Sequence, residues 1–312
     1  MHQVSEYFNQ GSKDLQKNQE AAYGQEAIAH SLHTKWIGKE IYFYEETDST
    51  NMQAQIKAEQ GVNNGTLFVA DKQTAGRGRR GRTWESPGGS NLYFTLLLKP
   101  SFAPDKASML TLVMAMAVVR GMEKQLGRCG KYKGNLLPDH EQMLEENRPL
   151  FDKGMPGIKW PNDIVADGKK LCGILTEMSL KGSLIESVAI GVGINVYQQA
   201  FVPEVVPNAT NIEEAYGQRL SRTALLADIL EAFEEEYEVF EQQLSLVGLK
   251  EQYNIRLVNL NREVKVLDPK GEYEGVARGI TDTGELLVEL TDGSMTEVYA
   301  GEVSVRGVYG YV

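Results

Sequence analysis

Gln73-Thr74-Ala75-Gly76-Arg77-Gly78-Arg79-Arg80-Gly81-Arg82-Thr83-Trp84 joins two apolar segments, residues 66–70 and 91–98, which are both typical of buried strands. The stretch contains a GxGxxG pattern, which marks a dinucleotide-binding loop only when a helix begins there. Here the chain runs into a strand, and no GxxxxGK motif followed by Ser or Thr occurs anywhere. The stretch therefore argues against a Rossmann fold and against a Walker A site.

Four arginines, Arg77, Arg79, Arg80 and Arg82, are concentrated in this loop, although the whole chain has a formal net charge of -11. Interspersed glycines allow guanidinium and backbone N–H groups to converge on an anion. We interpret the loop as a phosphate or carboxylate site. The alternatives are a basic loop that only adds solubility and a nucleic-acid patch, which the acidic composition disfavours.

The segments outward from the loop predict an α+β protein with a mixed, mainly antiparallel sheet flanked by helices. A dense apolar pattern at 106–126 indicates a buried helix behind the sheet, and the Asp167-Gly168 pair indicates a hairpin. The last fifty residues are typical of a small β-barrel. The remaining predicted elements are strands at 41–44, 171–178 and 184–196 and helices at 52–59 and 222–246.

Two polar positions allow both a structural and a functional interpretation. Thr50 and Gln53 fit a capping box, so Ser49, Thr50 and Asn51 could serve only to begin a helix. Lys159 precedes Trp160-Pro161 at the predicted end of a central strand, where a lysine must be paired or face a cleft. It is either a fixed ammonium near phosphates or an edge lysine that reaches solvent.

Composition excludes several classes of protein. The four histidines lie outside the motif-rich segments, which leaves a Ser-His-Asp mechanism without a base and gives no zinc-ligand cluster. Two cysteines, Cys129 and Cys172, are too few for a disulfide framework. The sequence shows no secretory signal and no apolar run long enough to span a membrane, which predicts a cytoplasmic protein without a membrane partner.

Four motifs, in this order and spacing, closely resemble the biotin-protein ligase family. They are Asp48-Ser49-Thr50-Asn51, the arginine loop from Gln73 to Trp84, Gly157-Ile158-Lys159-Trp160-Pro161-Asn162-Asp163, and Gly191-Val192-Gly193-Ile194-Asn195-Val196. The resemblance implies a class II synthetase-like catalytic domain and an SH3-like C-terminal barrel. It also implies that biotin and ATP with Mg²⁺ form biotinyl-5'-AMP, without a tightly bound prosthetic group, and that a lysine of a biotin carboxyl carrier protein then accepts the biotin.

The resemblance also implies a role for each matching residue. Ser49, Thr50, Asn51 and Gln73 bind the ureido head of biotin, while Arg77, Gly78 and Arg79 order over its carboxylate and the phosphates. Lys159, with Arg77 and Arg79, is the expected catalytic group, and Lys159 also contacts biotin. The expected nucleotide contacts are Arg79, Arg80, Arg82, Trp84, Asn195 and Arg306.

The expected domains are a short extension at 1–33, a catalytic domain at 34–258 with an insertion at about 127–157, and a C-terminal barrel at 259–312. About thirty-three residues precede the catalytic region, fewer than a helix-turn-helix repressor unit needs, so we expect no DNA partner. A homodimer is left open. Two other functions also remain open: a lipoate-protein ligase, and a non-catalytic module that binds biotinyl-AMP or nucleic acid.

Overall fold

A computed structural model describes residues 23–130, 154–197, 208–269, 271–300 and 304–307. Its helices are α1 Gln25–Ser31, α2 Thr50–Glu59, α3 Met109–Arg128, α4 Ile212–Tyr216, α5 Arg222–Gln243 and α6 Lys250–Asn254. Its strands are β1 Ile41–Thr47, β2 Thr66–Gln73, β3 Leu92–Leu98, β4 Gly157–Lys159, β5 Asp163–Ala166, β6 Lys169–Lys181, β7 Leu184–Ile194, β8 Glu263–Leu267, β9 Tyr273–Ile280, β10 Leu286–Glu289, β11 Met295–Val298 and β12 Ser304–Gly307.

Seven strands form one sheet in the order β1-β2-β3-β7-β6-β5-β4. β1 and β2 are parallel and are connected through α2, whereas the other neighbouring strands are antiparallel. Parallel pairing places the carboxyl ends of β1 and β2 side by side, with Thr47 opposite Gln73. As a result, α2 begins beside the point where the arginine loop leaves β2.

Helices cover both faces of this sheet. α3 packs against α5 and against the sheet in the main core, while α2 packs on the opposite face around Ala54, Phe68 and Leu97. The central strand β3 is buried along its whole length because both of its faces are covered. Its residues alternate between the faces, so Thr95 shares the α2 face with Leu97.

A second, five-stranded antiparallel sheet follows in the order β11-β10-β9-β8-β12. It contacts the first unit at several points, one of which is the Trp160 indole Nε1 donating to the Gly284 carbonyl at 2.9 Å. The predicted α+β class, with a mainly antiparallel sheet and a small C-terminal β unit, is confirmed. In the described part of the chain, no helix combines the length and apolar character needed to cross a bilayer.

Two local predictions are wrong. The capping box fails because Ser49, not Thr50, is the N-cap residue of α2, and Gln53 Nε2 donates instead to Asp48 Oδ1 at 3.0 Å. Lys159 ends β4, which is an edge strand and not a central one. The segment 256–258 covers that edge, since Ile158 N–H donates to the Arg256 carbonyl at 2.7 Å.

Two predicted regions lie mostly outside the described residues. Of the N-terminal extension at 1–33, the described part includes α1, whose Ile28 is buried in the main core. Of the insertion at 127–157, the described residues are the end of α3 with the turn after it and the approach to β4.

Candidate functional site

A cavity of about 260 Å³ lies where the start of α2, the arginine loop and the centre of the large sheet meet. Most of the predicted site residues line it, although they come from segments far apart in sequence. These lining residues are Ser49, Thr50, Asn51, Gln73, Arg77, Gly78, Arg79, Arg80, Arg82 and Trp84.

Hydrogen bonds join the polar groups of the cavity wall to the sheet. Gln73 Oε1 accepts from the Thr50 backbone N–H at 2.9 Å and from the Thr50 hydroxyl at 3.2 Å. Thr95 Oγ1, at 0% exposure, lies 2.8 Å from Thr50 Oγ1. Gln73 Nε2 in turn donates to Ser86 Oγ at 3.0 Å. Thr50 and Gln73 are therefore held in fixed orientations at the cavity wall.

The protein itself uses most of the hydrogen-bonding capacity of Asn51. Its Nδ2 donates to Glu177 Oε2 at 2.8 Å and to the Leu175 carbonyl at 3.2 Å, and its Oδ1 accepts from the Thr95 hydroxyl at 2.6 Å. The fit against β7 is close, because a Cβ at Gly191 would lie 2.1 Å from Asn51 Oδ1. Asn51 is thus placed to shape the cavity wall, with little donor capacity left for a ligand.

The arginine loop has an internal structure of its own. Arg79–Gly81 forms a 3-10 turn in which Arg80 adopts a left-handed conformation with φ 59°. Gly78 N–H donates to the Arg82 carbonyl at 2.7 Å, and Trp84 N–H donates to the Gly76 carbonyl at 2.9 Å. No α-helix begins here, as the sequence predicted.

Two of the loop arginines are tied to other parts of the protein. Arg77 Nη2 lies 2.7 Å from Glu177 Oε2. The Arg79 guanidinium donates to Asn162 Oδ1 at 2.9 Å and also to the Ala300 carbonyl, which links the loop to the C-terminal sheet. Burial, together with the neighbouring charge of Arg80, lowers the pKa of Arg79 from its usual value.

Trp84 lies over a floor formed by two paired glycines. Gly173 of β6 is opposite Gly193 of β7, and a Cβ at Gly193 would lie 2.5 Å from the indole Nε1. Any side chain there would displace the ring. The Lys170 ammonium lies 5.3 Å from the ring centroid. The buried indole N–H has no hydrogen-bond partner among the residues that the structure describes.

Three predicted residues do not line the cavity. Lys159 is 6% exposed, and its pKa is lowered to about 8. Burial is the main cause; Asp163 opposes it, while the charges of Arg306, Lys170 and Arg82 act in the same direction as burial. Arg306 is exposed on β12. Asn195 is buried, and its Nδ2 donates to the Thr210 carbonyl at 3.0 Å.

Sequence reasoning missed several residues of the site. Lys170 lines the cavity, where its ammonium lies 2.7 Å from Asp163 Oδ1. It follows the predicted Asp167-Gly168 turn, so a lysine entering a buried strand was the available signal. For Thr95 the signal was a hydroxyl within an otherwise apolar strand. Glu177 gave no signal, because its partners come from distant segments.

The site is suited to holding anions and not to holding a metal by itself. The cavity is lined by Arg77, Arg79 and Lys170 among other cations, against the carboxylate of Asp163. Among the described residues, no group of three or more His, Cys, Asp or Glu side chains could hold a metal ion. A site of this kind can bring two anionic groups together by neutralising their charge.

Two families match successive parts of the chain. Residues 43–195 match the Biotin/lipoate A/B protein ligase family, and residues 260–306 match the Biotin protein ligase C terminal domain. The bifunctional ligase/repressor BirA of Bacillus subtilis is 33% identical over 280 residues, which cover 89% of this chain and 78% of that protein. The biotin--[acetyl-CoA-carboxylase] ligase of Paracoccus denitrificans is 28% identical over 267 residues, which cover 84% of this chain and 98% of that protein.

Solved structures show the same relationship. The biotin protein ligase from Aquifex aeolicus in complex with biotin and ATP superposes with a TM-score of 0.67 at 30% identity. The match covers 86% of this chain and 99% of that one. Taken with the two domain matches and the geometry of the cavity, these similarities show that the chain belongs to the biotin-protein ligases of the biotin/lipoate A/B protein ligase family.

Proposed function

We propose that this protein is an ATP-dependent biotin-protein ligase. It forms biotinyl-5'-AMP from biotin and ATP and then transfers the biotin to a lysine of a carrier protein. The observation that carries this proposal is a cavity whose wall combines fixed polar groups with a cluster of arginines and a lysine. Such a cavity suits a substrate with a polar ring system and a carboxylate that must approach a triphosphate.

The polar groups of the cavity wall bind the head of biotin. Ser49, Thr50 and Gln73 line the cavity and present hydroxyl and amide groups that can pair with a ureido group. We assign Asn51 a supporting part in this recognition, because its amide is already bonded to Glu177, Thr95 and the Leu175 carbonyl.

The cationic side chains neutralise the reacting groups. In the first step a carboxylate oxygen of biotin forms a bond to the α-phosphorus, and the bond from that phosphorus to the bridging oxygen breaks to release pyrophosphate. Two anions must approach each other for this, so positioning and charge neutralisation supply most of the catalysis. We assign this work to Arg77, Arg79, Lys159 and Lys170.

The arginine loop also protects the intermediate. The mixed anhydride is open to hydrolysis, and a loop that closes over it excludes water. In the second step the acceptor lysine amine attacks the biotinyl carbonyl, and AMP leaves with the bonding electrons. We assign Arg80, Arg82 and Trp84 to the nucleotide side of the closed loop. Arg306, whose charge lowers the pKa of Lys159, is a further nucleotide contact in this proposal, as is Asn195 through its place in the family motif.

We further propose the division of the chain and its partners. Residues 34–258 bind biotin and ATP, and residues 259–312 complete the nucleotide side. Mg²⁺ enters with ATP, since the described residues offer no metal cluster of their own. The proposed acceptor is a biotin carboxyl carrier protein. DNA is not a proposed partner, because a net charge of -11 opposes binding to a phosphate backbone.

A transfer assay tests this function. The protein is mixed with ATP, an apo carrier domain and either labelled biotin or labelled lipoate, and covalent label on the carrier is measured. We expect ATP-dependent incorporation of biotin. Incorporation of lipoate alone would make the protein a lipoate ligase, and incorporation of neither would contradict an enzymatic role.

A further inference from the structure

One carboxylate oxygen joins the cavity wall to the arginine loop. Oε2 of Glu177 accepts from Asn51 Nδ2 at 2.8 Å and lies 2.7 Å from Arg77 Nη2. Glu177 belongs to β6, whereas Asn51 belongs to α2 and Arg77 to the loop. A helix, a strand and the arginine loop therefore meet at this one atom.

Asn51 depends on Glu177 for its orientation. Of its polar contacts, the 2.8 Å bond to Glu177 is shorter than the 3.2 Å bond to the Leu175 carbonyl, and it is made to a charged acceptor. Hydrogen bonds to ionised groups are stronger than those between neutral groups. Glu177 thereby fixes which end of the Asn51 amide faces the Thr95 hydroxyl, and through Thr95 it acts on Thr50.

Arg77 depends on the same oxygen for its position. It occupies the first limb of the loop and forms an isolated β-bridge with Thr83 on the returning limb. Holding the Arg77 guanidinium against β6 therefore holds both limbs near the sheet. The ion pair is partly open to solvent, with side-chain exposures of 38% for Arg77 and 26% for Glu177.

We propose that Glu177 is a positioning residue that couples the wall of the biotin pocket to closure of the arginine loop. The proposal rests on the proposed ligase function for its meaning in catalysis. Of the described residues, Asn51 and Arg77 line the cavity and Glu177 does not, so Glu177 acts through these two residues. Because one oxygen of Glu177 contacts both Asn51 and Arg77, the position of the pocket wall and the position of the loop are linked through Glu177.

Glu177→Gln separates the two contacts. The amide oxygen of glutamine can still accept from Asn51 Nδ2, but it lacks the charge that attracts Arg77. A partly exposed ion pair is worth about 0.2–1 kcal/mol, so biotinyl-adenylate release should become about 1.5- to 5-fold faster. The KM for biotin should stay near that of the wild type. Glu177→Ala removes both contacts and should raise the KM for biotin as well.

A matched control and a double variant distinguish coupling from general loosening. Glu289→Gln breaks the Arg278–Glu289 pair in the C-terminal sheet, which has the same 2.7 Å separation and similar exposures of 38% and 36%. Glu289→Gln should leave both the release of biotinyl-adenylate and the KM for biotin unchanged. In an Arg77→Ala background, Glu177→Gln should accelerate release no further. An equal acceleration with and without Arg77 would overturn the proposal.

Hydrogen exchange of the ligand-free protein gives a readout that does not need activity. The Gly78 and Trp84 amides close the loop through bonds to Arg82 and Gly76. We expect both amides to exchange about 1.5- to 5-fold faster in Glu177→Gln, in proportion to the lost ion pair, and not in Glu289→Gln. Unchanged exchange in Glu177→Gln would overturn the coupling. Failure of the wild type to transfer biotin would instead contradict the proposed function, and the exchange comparison would still decide the coupling.

Discussion

Replacing Thr95 with valine removes one buried hydroxyl and keeps the shape of the side chain. That hydroxyl lies 2.6 Å from Asn51 Oδ1 and 2.8 Å from Thr50 Oγ1, at a position with 0% exposure. Water cannot take its place, so the Asn51 oxygen loses its donor. A buried acceptor left without a partner costs about 1–3 kcal/mol, and the added methyl group recovers about 0.8 kcal/mol, which leaves a destabilisation of about 1 kcal/mol.

The same change should weaken biotin recognition. Thr50 and Asn51 lose the contact that fixes their side chains at the cavity wall. Loss of about one well-placed hydrogen bond, roughly 1.4 kcal/mol, corresponds to a tenfold change in an equilibrium constant. We therefore expect the KM for biotin to rise about tenfold in Thr95→Val, and Thr95→Ser, which keeps the hydroxyl, to restore most of it.

Thr66→Val is the matched control. Thr66 is 1% exposed at the start of the neighbouring strand β2, opposite Leu97, and its hydroxyl donates to the Asn63 carbonyl at 2.8 Å. Urea unfolding and steady-state biotin kinetics should be measured for all three variants. We expect Thr66→Val to lose stability without a change in KM. An equal KM for biotin in Thr95→Val and Thr66→Val would refute the role given to Thr95.

Three further predictions concern charged groups. Arg79→Ala removes the contacts with Asn162 and Ala300. The variant should release biotinyl-AMP about tenfold faster, which corresponds to the loss of a charge-assisted hydrogen bond. Release as slow as that of the wild type would show that Arg79 does not help the loop to retain the intermediate. Burial lowers the pKa of Lys159 to about 8, so the ammonium loses its proton above about pH 8 and kcat/KM for ATP should fall there. Lys159→Arg should show no such fall. Parallel pH profiles of the two proteins would contradict a need for the charge of Lys159. Burial raises the pKa of Glu236 to about 8 from its usual value near 4.5, so between these pH values the folded state binds a proton that the unfolded state does not. The stability of the wild type should therefore fall as pH rises through this range. Urea unfolding at about pH 5 and pH 8.5 should show a smaller loss of stability for Glu236→Gln than for the wild type, and equal losses would contradict the shifted pKa.

The fold was largely predictable because its elements have clear local patterns. The long apolar run became α3, the Asp167-Gly168 turn joins β5 to β6, and the alternating segments became antiparallel strands. The cap of α2 was not predictable, since the Thr50 N–H donates to the side chain of Gln73, which lies at the end of β2. Lys159 was placed in a central strand because sequence does not reveal strand order; the segment that covers β4 comes almost a hundred residues later.

The candidate site was predictable where its residues form contiguous motifs. Ser49 to Asn51 and the arginine loop meet at one cavity because α2 connects two parallel strands. Glu177 and Thr95 could not be identified from the sequence, because their importance lies in contacts with Arg77, Asn51 and Thr50 that join β6, β3, α2 and the arginine loop. Contacts of this kind depend on register, which a single sequence does not fix.

The most direct test of the central claim is pyrophosphate release measured without any acceptor protein. On mixing with ATP and biotin, we predict a stoichiometric burst that then stops, because the adenylate stays under the closed loop. Addition of an apo carrier domain should discharge the retained biotin onto its lysine. Absence of a burst with biotin, or a burst with lipoate alone, would contradict the claim.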